Sequence, residues 1–239
     1  MTASLPPLRN HLLHPSGGLV YHLRALRHRH GLWAGFHHTV AGWLNSWQPR
    51  RRQLVLVGPN AGHALPAGFL ARFDEVVALE PDPLARGWLA RRPDAGRLRF
   101  VALDCLAGPE GLALLAAAFP EAAILFSNVL GQVPAPGGSW SDLLRRQLEM
   151  LPWASYHDVA STERAPQCTT PITLDGGDDL DATLARFWHG GRLTVNDHET
   201  FQLGGQGPFS YVPWQIIPGR WQLVEWTCRD GQPRPEAQA

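Results

Sequence analysis

The chain has 239 residues, of which 44% are hydrophobic and 18% charged, and its formal net charge is zero. That length allows one α/β domain with a sizeable core, and the charge balance offers no broad basic field for nucleic acid or an anionic membrane surface. All 21 basic residues are arginine, which excludes an internal Schiff-base lysine and a phosphate-loop lysine, and with them pyridoxal chemistry and Walker-type nucleotide hydrolysis.

In chain order, residues 1 to 18 contain Pro, Gly and His and read as a poorly ordered or draped arm. They hold no apolar signal core, and no run of about eighteen apolar residues exists anywhere for a membrane span. The three cysteines, Cys105, Cys168 and Cys228, have neither zinc spacing nor the pattern of a disulfide framework. A cytoplasmic protein is expected. Leu19, Leu23 and Leu26 give one helical stripe, and Trp33, Phe36, Val40, Trp43, Leu44 and Trp47 give a second. Two helices are therefore predicted to precede the sheet and cover one of its faces. Arg50 to Arg52 read as a solvated connection.

The stretch from Gln53 to Leu65, QLVLVGPNAGHAL, organises the rest of the chain. Leu54 to Val57 fit a strand buried on both faces, and Gly58, Pro59, Asn60, Ala61 and Gly62 form a glycine loop. Pro66, with Leu65, Phe69, Leu70 and Phe73 near helical spacing, predicts a helix directly after it. Strand, tight turn and helix N-terminus together aim backbone N–H groups at a ligand. A second apolar strand, Glu75 to Leu79, ends in Glu80 about twenty residues past the first glycine, where a ribose-binding carboxylate belongs. A third, Leu98 to Leu103, ends in Asp104 and Cys105, and a fourth, Ala122 to Phe126, ends in Ser127 and Asn128. In an open parallel sheet those polar strand ends line one crevice.

Here the chain resembles the class I S-adenosylmethionine-dependent methyltransferases. The matching pieces are LVLVGPNAG, VVALEPDP, FVALDC and AAILFSNVLGQV, within residues 53 to 160. The resemblance implies a Rossmann-like, doubly wound, mostly parallel seven-stranded sheet with a C-terminal antiparallel hairpin and N-terminal covering helices. It implies S-adenosyl-L-methionine as cofactor, with the methionine part over Gly58 and Gly62, the ribose on Glu80 and the adenine beside Asp104. Pro59, Asn60, Cys105 and Ser127 complete the expected cofactor-binding set. The family's acidic residue two positions before the first glycine is Leu56 here, and its middle glycine is Asn60. Asn tolerates a left-handed backbone, so the turn survives, and its side-chain oxygen is expected to contact the amino-acid part of the ligand.

Beyond this core, Pro134 to Gly138 is a loop, and a helix opens at Ser141 and runs to Leu151. Ala154 to Ala160 follows as a fifth strand, and Leu180 to Trp188 as a helix in an otherwise polar region. Tyr211 to Ile217 and Trp221 to Cys228 read as a hairpin about Pro218 and Gly219, a pair suited to a type II turn. Residues 230 to 239 are a polar tail. The chain thus reads as one methyltransferase-like domain: an N-terminal arm and helices (1 to 50), a cofactor-binding core (51 to 160) and an acceptor-side insertion with the closing hairpin (161 to 239).

Asn128, by resemblance, sits where some family members bind an acceptor nitrogen, and His157 and Asp158, at the mouth of the fifth strand, are candidate acid–base groups. The Asp197, His198, Glu199 run either returns to the pocket or lies on the surface. Eleven histidines contain no H-E-x-x-H, and no metal is expected. The ten tryptophans are not interleaved with a basic run, so they read as core and pocket lining rather than a stacking platform. The reading is a methyltransferase acting on a small-molecule acceptor, without nucleic-acid or membrane partners and with oligomeric state open. A catalytically degenerate binding protein on the same fold is an alternative, motivated by Leu56 and Asn60. A nicotinamide-dependent oxidoreductase is a third, opposed by the absence of G-x-G-x-x-G and of lysine.

Overall fold

The structure is a computed structural model in which residues 18 to 231 are described. The expected arm up to residue 17 and the tail from residue 232 lie outside the described residues. In chain order the elements are α1 (Gly18–His28), α2 (Ala34–Ser46), β1 (Gln53–Val57), β2 (Glu75–Leu79), α3 (Pro83–Leu89), β3 (Leu98–Phe100), α4 (Gly111–Ala118), β4 (Ala122–Ser127), α5 (Trp140–Gln147), β5 (Trp153–Thr162), β6 (Ile172–Leu174), α6 (Leu180–Ala185), β7 (Asn196–Asp197), β8 (Phe209–Ile217) and β9 (Arg220–Arg229).

Unbroken apolar runs make β1 and β4 the centre of the sheet. Leu54 and Leu56 pack into a core with α2 on one face, while Val55 and Val57 pack with α4 and α5 on the other. The strand order is β3-β2-β1-β4-β5-β9-β8-β6, with β7 pairing the far end of β5. β1 to β5 pair in parallel, and β9 and β8 close the sheet as an antiparallel hairpin. The order reverses between β1 and β4, which opens a crevice at their carboxyl ends. Val57 lies level with both Leu79 and Phe126. Gly58, Glu80 and Ser127 therefore leave the sheet side by side.

Several expectations are corrected. The sheet has nine strands, not seven. The extra two, β6 and β7, are three and two residues long, and β6 belongs to a satellite core of the 161 to 210 region built on Leu184, Phe187, Phe209 and Tyr211. β3 ends at Phe100 rather than Leu103. No α-helix follows the glycine loop; only a 3-10 turn at Leu70–Arg72 forms. Gly62 and Gly68 both hold positive φ, at 70° and 78°, which interrupts an α-helical path. Leu65, Phe69, Leu70 and Phe73 are buried all the same. Arg92 holds this irregular segment by donating to the carbonyls of Gly62 (3.0 Å), Leu65 (3.3 Å) and Pro66 (3.0 Å).

The leucine stripe of α1 faces away from the sheet: Leu19 is 47% exposed, Leu23 57% and Leu26 50%. What α1 buries is His22 and Ala25, because the rotation of the helix is set by a polar clasp. Asp82 accepts from His22 Nε2 at 2.7 Å and from Gly18 N at 3.0 Å. The same carboxylate caps α3 by accepting from Leu84 N at 2.9 Å, with Pro83 in the first turn. α2 buries its stripe as expected, with Trp33, Val40 and Leu44 fully enclosed. The helix expected at Ser141 begins one residue earlier, where Ser139 accepts from Asp142 N. The hairpin turn is tight: Ile217 pairs with Arg220, Gly219 takes φ 78°, and a bulge between Gln215 and Ile217 relieves the splay a type II turn imposes.

Removing the Asp82 carboxylate strips α3 of its cap and leaves two buried donors of α1 without a partner. Asp82→Ala is expected to cost about 2 to 4 kcal/mol and to abolish slow hydrogen exchange in α1 while leaving that of β1 and β4 intact. Unchanged protection in α1 would contradict the clasp.

Candidate functional site

The glycine loop starts where Gly58 N donates to Leu79 O at 3.0 Å, and it closes where Gly62 N donates to Pro59 O at 2.9 Å. Gly58, Asn60 and Gly62 all have positive φ, at 60°, 53° and 70°, so the non-glycine Asn60 does adopt the left-handed turn. A Cβ at either end would also crowd a neighbouring side chain. A Cβ on Gly58 would sit 2.2 Å from Val129 Cγ1, and one on Gly62 2.8 Å from Leu89 Cδ1.

Glu80 leaves β2 beside this loop and is only 4% exposed. One carboxylate oxygen accepts from Asn60 N at 2.7 Å and the other from Asp82 N at 2.9 Å. Burial pushes its pKa up to about 7, with the two N–H donors pulling the other way and Asp82 adding to the rise. A carboxylate held in this way keeps oxygen lone pairs for further donors.

Pro59, Asn60, Ser127 and Asn128 line one cleft, together with Tyr21 from α1, Phe36 and His37 from α2, His63 and Ala64 from the loop, Gln132, Tyr156 and Trp214. The aromatic and histidine members carried no local signal pointing to a site, apart from the reading of the tryptophans as core and pocket lining. Burial pushes the Tyr21 phenol up, with Tyr156 and Glu80 adding to the rise. Burial raises Tyr156 to about 12, against the pull of the Ser127 hydroxyl. Burial lowers His37 to about 4, helped by His30, and lowers His63 to about 4, helped by His22, His37, Arg29 and Arg92. Both imidazoles are neutral at pH 7. Free space in the cleft is about 30 Å³, room for a water or two, so a larger ligand requires the lining to open.

Other expected site residues lie elsewhere or are engaged. Cys105 belongs to the core formed with Val55, Leu79 and Leu112, and burial pushes its thiol up to about 12. Asp104 lies past the end of β3, and its carboxylate accepts from Leu106 N at 3.2 Å. Asn128, at φ 55°, stitches β4 to β5: its N donates to Tyr156 O at 2.7 Å, and its side-chain oxygen accepts from Asp158 N at 3.1 Å. His157 follows a residue that faces the cleft, so it points to the opposite face. Fully buried there, it hydrogen-bonds Ser155 Oγ and Thr200 O, both at 3.0 Å, and lies 3.4 Å from Glu225. Glu225 in turn accepts from Gln202 N and Leu203 N, so this network anchors the 200 to 205 loop. Asp158 accepts from Gln222 Nε2 at 2.7 Å and pairs with His198 at 3.0 Å. The Asp197, His198, Glu199 run therefore returns to β5 rather than to the cleft. Among the described residues, no three His, Cys, Asp or Glu side chains converge as metal ligands, and no helix is long and apolar enough to cross a membrane.

No protein-family model matches the chain, and no curated protein matches it by sequence. Solved structures do. The complex of DhpI with SAH is 15% identical, covering 89% of this chain and 94% of that one at a TM-score of 0.41. A SAM-dependent methyltransferase from Anabaena variabilis is 15% identical, covering 87% and 91% at 0.42. The glycopeptide N-methyltransferase MtfA is 13% identical, covering 80% and 89% at 0.38. At these identities the likeness concerns the fold alone.

The Glu80 pKa makes stability depend on pH with a definite sign. The folded chain holds this proton to a higher pH than the unfolded chain, whose glutamate titrates near 4.5. The contribution is therefore fully present below about 4.5 and is lost as pH rises through about 7. Between pH 5 and pH 8, urea denaturation is expected to show wild type losing about 3 kcal/mol more than Glu80→Gln. Parallel pH profiles for the two proteins would contradict the burial of this carboxyl.

Proposed function

We propose that the chain is an S-adenosyl-L-methionine-dependent methyltransferase acting on a small-molecule acceptor. The observation that carries this reading is Glu80, a buried carboxylate at the end of β2, flush with a left-handed glycine loop and with Ser127 at the mouth of the β1/β4 crevice. The residues suit the group. Glu80 would accept from the ribose hydroxyls, Asn60 Oδ1, which is buried and without a partner, would accept from the methionine ammonium, and Asp104 would lie on the adenine side. When bound, the cofactor supplies an electrophilic methyl group on a sulfonium. The chain's own contribution is to orient the two reactants and exclude water, which supplies most of the rate in such a transfer. Residues 1 to 50 and 161 to 239 would form the acceptor side around the core of residues 51 to 160. The neutral lining and the three free cysteines accord with a small acceptor and a reducing, cytoplasmic setting.

A second reading, a binding protein on this fold with catalysis lost, is favoured by Leu56. That side chain is fully buried in an apolar cluster with Phe36 and Trp214, so no carboxylate is offered from β1 to an ammonium.

Isothermal calorimetry with S-adenosylhomocysteine tests the first reading. Each charge-assisted hydrogen bond to the carboxylate contributes about 1.5 to 3 kcal/mol, so Glu80→Ala is expected to weaken binding at least about thirtyfold. Equal affinity in both proteins, or none in wild type, counts decisively against the assignment.

A further inference from the structure

Among the described residues eight large hydrophobic side chains are exposed, and six of them stand on two neighbouring helices: Leu19, Val20, Leu23 and Leu26 on α1, Leu84 and Trp88 on α3. The Asp82 clasp holds these helices together, and the Trp88 ring meets the buried His22 edge-on at 4.5 Å between centroids. Leu19, Leu23 and Leu26 recur at offsets of four and three, and Leu84 and Trp88 at four, so each set shares one helix face. Single exposed hydrophobics need no explanation, but a cluster with a polar rim marks an interaction surface. The rim here has one sign. Residues 18 to 30 hold Arg24, Arg27 and Arg29 and no acid, and residues 81 to 93 hold Arg86, Arg91 and Arg92 with one acid, the buried Asp82. The zero net charge conceals a wider asymmetry: the first 100 residues carry 13 of the 21 arginines and 5 of the 21 acids, a formal +8, and the remainder carries the opposing −8. A basic half of this kind turns toward polyanionic partners.

We propose that the α1–α3 face docks on an anionic lipid bilayer, with its leucines and Trp88 at the acyl boundary and its arginines on the headgroups. The charge and the apolar side chains together select this occupant. A second copy of the chain would set arginine against arginine with no acid to offset them. A nucleic acid would engage the arginines and leave six apolar side chains in water. A partner helix needs a groove to lie in, whereas these side chains stand half-exposed on the outer faces of two helices. A bilayer accepts protruding apolar side chains, holds tryptophan at its interface and attracts arginine through its anionic headgroups. α1, at eleven residues, lies in the plane of the surface, since crossing takes about 20. The inference does not depend on the methyltransferase reading, because none of the six side chains lines the cleft. α1 nevertheless serves both sides, carrying Tyr21 into the cleft and its leucines to the bilayer.

The test floats the full chain with vesicles of phosphatidylcholine alone and of phosphatidylcholine and phosphatidylglycerol in equal parts. Binding to the anionic vesicles is expected to be at least about tenfold tighter, and to weaken as NaCl rises from about 0.05 to about 0.5 M. Leu23→Asp with Leu26→Asp, and separately Arg24→Gln with Arg27→Gln, are each expected to weaken it at least about tenfold. Met150→Asp, at an exposed methionine between α5 and β5, is expected to leave it unchanged. Slow hydrogen exchange in β1 and β4 checks that each variant is folded. Failure to float, equal binding to neutral vesicles, or indifference to either pair of substitutions overturns the proposal. A dimer in sedimentation that the leucine pair dissolves, without vesicle binding, overturns it in favour of a second copy. Heparin binding that only the arginine pair abolishes, again without vesicle binding, overturns it in favour of a soluble polyanion.

Discussion

Two buried carboxylates at the end of β2 hold this structure's functional end together. Glu80 ties the glycine loop to the β2–α3 corner through Asn60 N and Asp82 N. Asp82 ties that corner to α1 through His22 and Gly18. A single charge so enclosed is costly unless hydrogen-bonded, and here the hydrogen bonds come from the elements that must be positioned. The cost of burial and the geometry of the crevice are thus one feature. Glu80 adds a second tie between the loop and β2 beside the hydrogen bond from Gly58 N to Leu79 O, and Asp82 ties the wall carrying Tyr21 to the β2–α3 corner.

The cleft that results is polar in its atoms and neutral in its charge. Its two histidines are kept uncharged chiefly by burial, with His30 acting on His37 and His22 and His37 among the groups acting on His63, and its tyrosines are kept protonated chiefly by burial. The ionic groups of the neighbourhood are engaged by adjoining elements: Glu80 accepts from Asn60 N, Asp82 from Gly18 N of α1, and Asp158 pairs with His198. Such an arrangement selects by shape and hydrogen bonding rather than by charge.

Much of the sheet was legible in the sequence because its central strands are buried on both faces, and continuous apolar runs of four to six residues admit few other readings. The placement of Glu80 at the end of β2 beside the glycine loop was legible from its distance to that loop. The rest depended on contacts between distant residues. The stripe of Leu65, Phe69, Leu70 and Phe73 does mark burial, but positive φ at Gly62 and Gly68 and the Arg92 fork give it an irregular path. The leucines of α1 face outward because a histidine 60 residues from its carboxylate fixes the helix rotation, which no local period can reveal. His157 suggested chemistry by its type and strand position, yet alternation along β5 gives the cleft to Tyr156 and commits His157 to Thr200 and Glu225. α3 is written plainly in Asp82 and Pro83, a cap joined to a first-turn proline, a signal masked by the strand-end acid two residues before it.

The central claim is that the crevice between β1 and β4 holds an adenosyl cofactor with its ribose on Glu80. A crystal structure of the chain with S-adenosylhomocysteine tests it most directly. Both ribose hydroxyls are expected within about 2.5 to 3.0 Å of the Glu80 carboxylate, with Asn60 beside the amino-acid end. A nucleoside bound elsewhere, or a Glu80 carboxylate still engaged only by Asn60 N and Asp82 N, would contradict it.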